Sequence, residues 1–159
     1  MQKFTPCLWF DGKAEEAAGL YVSVFSNSRI TGITHYGEAG AEASGQPRGT
    51  VMTVSFQLEG QDFLALNGGP LFTFSPAISL IVNCRTQAEV DELWEKLSAG
   101  GRKGDCGWLT DRFGVSWQIT PTVLIEMLLD RDAARVERVM KAMLQMHKID
   151  IEALQKAYA

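Results

Sequence analysis

Ala77-Ile-Ser-Leu-Ile-Val-Asn-Cys-Arg-Thr-Gln-Ala-Glu-Val-Asp-Glu-Leu-Trp-Glu-Lys-Leu97 is the stretch on which the fold turns. Ile78 to Val82 is a short apolar run suited to a β-strand. Thr86-Gln-Ala-Glu89 fits a capping box, in which the Thr hydroxyl and the Glu carboxylate take up the first free helix amides. Val90, Leu93, Trp94 and Leu97 follow at i, i+3, i+4 and i+7, the spacing of a helix with one buried face, and Gly100-Gly101 stops it. Short β-like runs then surround Cys106 to Leu109 and Val115 to Thr120, separated by Thr110-Asp-Arg-Phe-Gly114.

Upstream, the same order has already occurred once. Phe4 to Phe10 reads as a strand, and Asp11 is placed to cap a helix in which Ala14, Ala17, Ala18, Tyr21, Val24 and Phe25 share a face. Arg29 to Tyr36 reads as a second strand, and Gly37 to Gly49 as a mobile loop without periodicity. Thr50 to Leu58 and Phe63 to Leu66 form a hairpin about Glu59-Gly-Gln-Asp62, ending at Asn67-Gly-Gly-Pro70. The chain is therefore two strand, helix, multi-strand units in tandem, a duplication of architecture rather than of letters. Module one spans 3–70 and module two 76–121. The tail, 122–159, is helical: Asp132 precedes a stripe of Val136, Val139, Met140, Met143 and Leu144. Asp150 caps a last helix, with Ile149 placed to staple onto Leu154. Such helices serve as core or as an interaction surface for a partner subunit.

Composition narrows the function. The 159 residues carry 15 Lys and Arg against 19 Asp and Glu, a net charge of −4, without the basic face of a nucleic-acid binder. No apolar run approaches the ~20 residues of a membrane span, and the N-terminus lacks a signal-peptide pattern. Three cysteines without a C-x-x-C pair point away from disulfides and zinc knuckles. The expected compartment is the cytoplasm. Two histidines, His35 and His147, are too few for a His cluster or for a well-populated choice of catalytic base. Cys106 stands near Arg102, Lys103 and Arg112, which suits either a reactive thiolate or a small core residue. Trp9, Ser79, Trp108, Ser116, Trp117 and Gln118 are polar or aromatic residues inside strands, with Asn67 at the end of one. A pocket of aromatic walls and few polar groups is built from such residues, as is an ordinary core with satisfied indoles.

Pro6-Cys-Leu-Trp-Phe-Asp-Gly-Lys-Ala-Glu-Glu-Ala17, Tyr21-Val-Ser-Val-Phe25, Ser79-Leu-Ile-Val-Asn-Cys84, Gln87-Ala-Glu-Val-Asp-Glu-Leu-Trp94 and Cys106-Gly-Trp-Leu-Thr-Asp-Arg-Phe-Gly-Val-Ser-Trp-Gln-Ile-Thr-Pro121 closely resemble the PhnB-like branch of the vicinal oxygen chelate superfamily. That superfamily includes glyoxalase I, extradiol dioxygenases and bleomycin-resistance proteins, and the branch is also labelled 3-demethylubiquinone 3-methyltransferase-like. The resemblance implies an α+β fold of tandem βαβββ modules, curved mixed sheets around a cavity, commonly completed by a homodimer able to exchange modules. In metal-using relatives, His and Glu ligands come from the first and last strands of each module. Matching by position puts Thr5, Asn67, Ala77 and Gln118 at those places, so no bound divalent metal and no cofactor are expected. A methyl donor would lack the Gly-rich strand-to-helix turn of nucleotide folds. The expected function is metal-free binding of a small molecule, with Trp9, Asn67, Ser79, Trp108 and Gln118 lining the site. The alternative is an enzyme, methyltransferase-like or a lyase or isomerase using Gln118 and a thiol.

Overall fold

Alternation sets the first strand. In β1 (Cys7–Phe10), Leu8 and Phe10 are buried while Cys7 and Trp9 take the opposite side, the period of two that places neighbours on opposite faces of a sheet. The structure is a computed structural model and describes residues 2–159. Its chain forms two compact units, Met1–Phe74 and Ser75–Ala159.

In the first unit, α1 (Ala14–Val24) buries Ala14, Ala17, Ala18 and Tyr21, the face anticipated from its spacing. Tyr21 meets Phe56 with ring centroids 6.2 Å apart. The strands β2 (Arg29–His35), β3 (Val51–Leu58) and β4 (Gln61–Asn67) complete a four-stranded sheet of order β1-β4-β3-β2, with β1 parallel to β4 and the other pairs antiparallel. The hairpin is tighter than its letters suggest. Glu59 and Gly60 alone join β3 to β4, with φ of 47° and 85°, the left-handed pair that suits a two-residue turn to the twist of its strands.

Two expectations for this unit are corrected. Asp11 does not cap α1; Lys13 holds the N-cap position without a side-chain bond, and the Ala14 N–H donates to Asn67 Oδ1 at 2.8 Å. Nor is 37–49 a structureless loop. It contains α2 (Glu38–Ser44), ended by Gly45 in the left-handed region at φ 76°, whose N–H donates to the Ala41 carbonyl. Alanine and glutamate favour this helix locally, and because it buries none of its own residues it has no apolar stripe to betray it. Its root is fixed where Tyr36 N–H donates to Thr50 O and Gly49 N–H to Tyr36 O.

The second unit repeats the arrangement. β5 (Ser79–Cys84), α3 (Gln87–Ser98), β6 (Arg102–Lys103), β7 (Trp108–Thr110) and β8 (Ser116–Pro121) give the order β5-β8-β7-β6, with β5 parallel to β8. Thr86 Oγ1 accepts from Glu89 N–H at 3.2 Å. The Glu89 carboxylate reaches one residue beyond the expected target, accepting from Arg85 N–H at 2.9 Å. The fold is thus α+β, two four-stranded mixed sheets with six helices among the described residues.

The tail joins the second unit. Helices α4 (Thr122–Leu128), α5 (Ala133–Met143) and α6 (Ile151–Tyr158) gather Leu124, Met127, Val139, Ile149 and Leu154 into one apolar cluster. Asp132 and Asp150 cap α5 and α6, and Ile149 and Leu154 are both buried, as a staple requires. The expected stripe overruns: α5 ends at Met143, and Leu144 is exposed. Backbone bonds from Cys106 N–H to Met146 O and from Gly107 N–H to His147 O tie this tail to the loop before β7. Gln87 donates to Ile149 O and accepts from Ile151 N–H.

Candidate functional site

The sheet of the first unit has one face on α1 and one away from it. Cross-strand register puts Trp9 beside Leu66 on the latter face and Phe10 beside Asn67 on the former. Trp9 is half-buried and firmly held. Its indole N–H donates to Gly69 O at 2.9 Å, and Phe72 meets its ring edge-on with centroids 4.9 Å apart. Gly68 is a glycine of necessity, since a Cβ there would lie 2.3 Å from the indole. The Trp9 ring therefore rests directly on the backbone of the segment after β4.

A cleft of about 570 Å³ opens beside it, walled by Trp9, Leu66, Pro70 and Leu71, with Tyr36 and Gln46 among its polar groups. That volume falls in the range of small-ligand sites. Tyr36 is buried, and its hydroxyl donates to Asn67 O at 2.5 Å, which fixes the base of α2 to the end of β4. Among the described residues the Gln46 side-chain amide has no hydrogen-bond partner. It lies close over Gly69, where a Cβ would come 2.7 Å from Nε2. A smaller cleft of about 300 Å³ also has Gln46 in its wall, with Gly12, Glu15, Thr50 and Asn67.

Asn67 lines that smaller cleft, yet its amide is engaged at both ends. Oδ1 accepts from Ala14 N–H, and Nδ2 donates to Val51 O at 3.1 Å. Because it follows Phe10 onto the α1 side, it stands on the opposite face from Trp9. Its side chain holds the start of α1 against the sheet.

In the second unit, Gln118 pairs with Ile81 on β5 and with Trp108 on β7, and Ser79 pairs with Ser116. Ser79, Trp108 and Gln118 therefore share one face, and Gln118 Nε2 donates to Ser79 Oγ at 2.9 Å. Trp117 faces the other way and is core. Its indole N–H donates to Asp111 Oδ2 at 2.9 Å, while Asp111, 2% exposed, also accepts from Phe113 N–H and Val115 N–H through Oδ1. Cys106 is half-buried with φ 56°, and its thiol lies against Met143 O at 3.5 Å. His147 is exposed, with Nδ1 2.7 Å from Asp105 Oδ1. His35 lies at the end of edge strand β2.

The family model for 3-demethylubiquinone-9 3-methyltransferase matches residues 2–120. This chain belongs to that family. It is accordingly a member of the PhnB-like branch of the vicinal oxygen chelate superfamily. A PhnB protein from Bacillus cereus is 40% identical over 76% of this chain and 99% of its own, with a TM-score of 0.67. Protein PA1353 from Pseudomonas aeruginosa, 21% identical over 76% of this chain and 98% of its own, shares the fold with a TM-score of 0.62. A search among curated proteins gives no match. Helices α4 to α6 lie beyond the residues that the family model matches.

The family's metal-using kin require convergent carboxylates and imidazoles, and the residues of this chain do not fit that need. By the resemblance to those kin the ligand places are expected at Thr5, Asn67, Ala77 and Gln118, none of which is a carboxylate or an imidazole. The Asn67 oxygen is already an acceptor for α1, and among the described residues no three His, Cys, Asp or Glu side chains gather as a ligand set. Tyr36, Gln46 and Gly68 escape sequence reasoning as site residues. The one legible signal was Gly68-Gly69 directly after a strand, a pattern of close backbone approach.

Proposed function

We propose that this family member binds a small, flat, largely apolar molecule without a divalent metal, seating it beside Trp9. The observation that carries the reading is the Trp9 cleft: a ring whose N–H is satisfied internally, in a cavity of ligand size. An indole in that state offers its hydrocarbon surface without the cost of an unpaired donor. The Gln46 amide supplies a hydrogen-bond donor and acceptor to the edge of such a ligand. Within the second unit, Ser79, Trp108 and Gln118 form an aromatic and amide surface of its own, proposed to contact a ligand there, and in the first unit Asn67 keeps the end of β4 in place. The working form is proposed to be a cytoplasmic homodimer.

A thermal-shift and fluorescence screen of two-ring aromatic compounds tests this. Binders are expected to raise the unfolding midpoint and quench tryptophan emission. Trp9→Ala is expected to weaken any such binder at least tenfold. Gly68→Ala, whose methyl collides with the indole, should do the same with Trp9 present. No binder in the screen, or binders indifferent to both substitutions, would defeat the proposal.

The family description favours a second reading, a methyl-transferring enzyme. Saturable binding of S-adenosylmethionine in equilibrium dialysis would support it, and no binding at millimolar donor would count against it.

A further inference from the structure

We infer that the ligand of the first unit is a cation with an aromatic body, its charged group reaching Glu15. This rests on the reading of the Trp9 cleft as a binding site and adds the charge of what it holds. The larger cleft has no charged residue in its wall, and the smaller one has a single charge, the carboxylate of Glu15. Gln46 belongs to both walls, so the two clefts adjoin at this residue. The inferred molecule keeps its rings beside Trp9, passes Gln46 round the end of β4, where the two faces of the sheet meet, and brings its far end to Glu15.

The neighbouring charges do not reverse this sign. Lys13 is turned to Glu16, 3.4 Å away, and neither Lys13 nor Arg48 belongs to either wall. A helix start ordinarily favours an anion. At α1, however, the Ala14 N–H is already given to Asn67, and Glu15 and Glu16 occupy the first turn. An ammonium group is the partner that a lone carboxylate at such a place accepts. An aliphatic or purely apolar molecule leaves Glu15 unused, and a carboxylate meets it with like charge.

The test uses the full chain and three naphthalene series of equal chain length: 2-naphthyl alkylamines, the matching alcohols and the matching carboxylates. Calorimetry at low salt is expected to rank amine above alcohol above carboxylate, with about a two- to five-fold step between amine and alcohol, as a partly exposed ion pair provides. The step should shrink at high salt. Glu15→Gln is expected to erase the preference by bringing the amine's affinity down to that of the alcohol. Glu16→Gln, a neighbour outside both walls, is expected to retain the preference. Equal binding of all three series to the wild type, or a preference that survives Glu15→Gln, overturns the cation assignment and leaves the Trp9 cleft standing. Failure of every series to bind overturns both.

Discussion

The two units solve one problem in two ways. Each must satisfy the free amides at the start of the helix that follows its first strand. The second does so locally, with the Thr86 hydroxyl accepting from Glu89 N–H in the helix it precedes. The first reaches across the fold and takes Asn67, 53 residues away, from the end of its last strand. The corresponding strand end in the second unit is Pro121, from which the chain turns directly into α4 and the apolar cluster of the tail. One unit thus spends its strand end on a cap beside open clefts, and the other spends it on further core. The two clefts described above border the first of these strand ends, with Asn67 in the wall of the smaller and Leu66 and Gly68 in that of the larger.

The comparison is broken most severely at Asp111, for which the first unit's two-residue hairpin turn offers no counterpart. Three donors converge on its buried carboxylate, and Asp111→Ala leaves two amides and an indole N–H without it. The expected loss is about 3 kcal/mol, read as a lowered denaturant midpoint. Loss of under ~1 kcal/mol would mean that water replaces the carboxylate without penalty.

Asn67 and Thr86 test the caps against each other. Asn67→Ala removes two hydrogen bonds from a residue only 6% exposed, and is expected to cost about 2 kcal/mol. Thr86→Ala removes an exposed cap bond and is expected to cost about 1 kcal/mol. Chemical denaturation of both variants measures the gap. Equal losses would show that the long-range cap carries no more than the local one.

The same contrast explains what could be read from letters. The order of strands and principal helices was legible because burial imposes periods of two and 3.6 on apolar residues. Thr86, Asp132 and Asp150 were legible as caps because their partners lie within three residues. Asp11 misled because the true acceptor is remote in sequence. The α2 helix was hidden because Glu38 to Ser44 buries nothing. The shared face of Ser79, Trp108 and Gln118 depends on strand register, as does the separation of Trp9 from Asn67. A list of polar strand residues contains no such register. Gln46 belongs to the site only because the segment after α2 folds back over Gly69, which no local pattern encodes.

The smallest effect belongs to the tail, which has no counterpart in the first unit. Tyr158 donates its hydroxyl proton to Asp130, and that bond, followed by the Asp132 N–H and a lesser pull from Arg135, holds the Asp130 carboxyl below its ordinary range. The same bond pushes the Tyr158 hydroxyl up. A depressed carboxyl favours the folded chain above its unfolded pKa, near ~3.9, and that contribution fades as pH falls through the lower folded value. A raised tyrosine favours it below ~10 and ceases to do so as pH climbs through the higher folded value. Stability is therefore expected to dip at both ends, with the tail loosening first. Asp130→Asn should flatten the acid limb without touching module-one reporters such as Trp9 fluorescence. Tyr158→Phe should flatten the alkaline limb and also weaken the acid one, because the bond that depresses Asp130 is then gone. Because the pair is only half-buried, both changes should be small, and a tail whose amide-exchange protection is the same in both variants at pH 3, 7 and 10 would show that Arg138, which binds the carbonyls of Ala157 and Ala159, holds α6 without it.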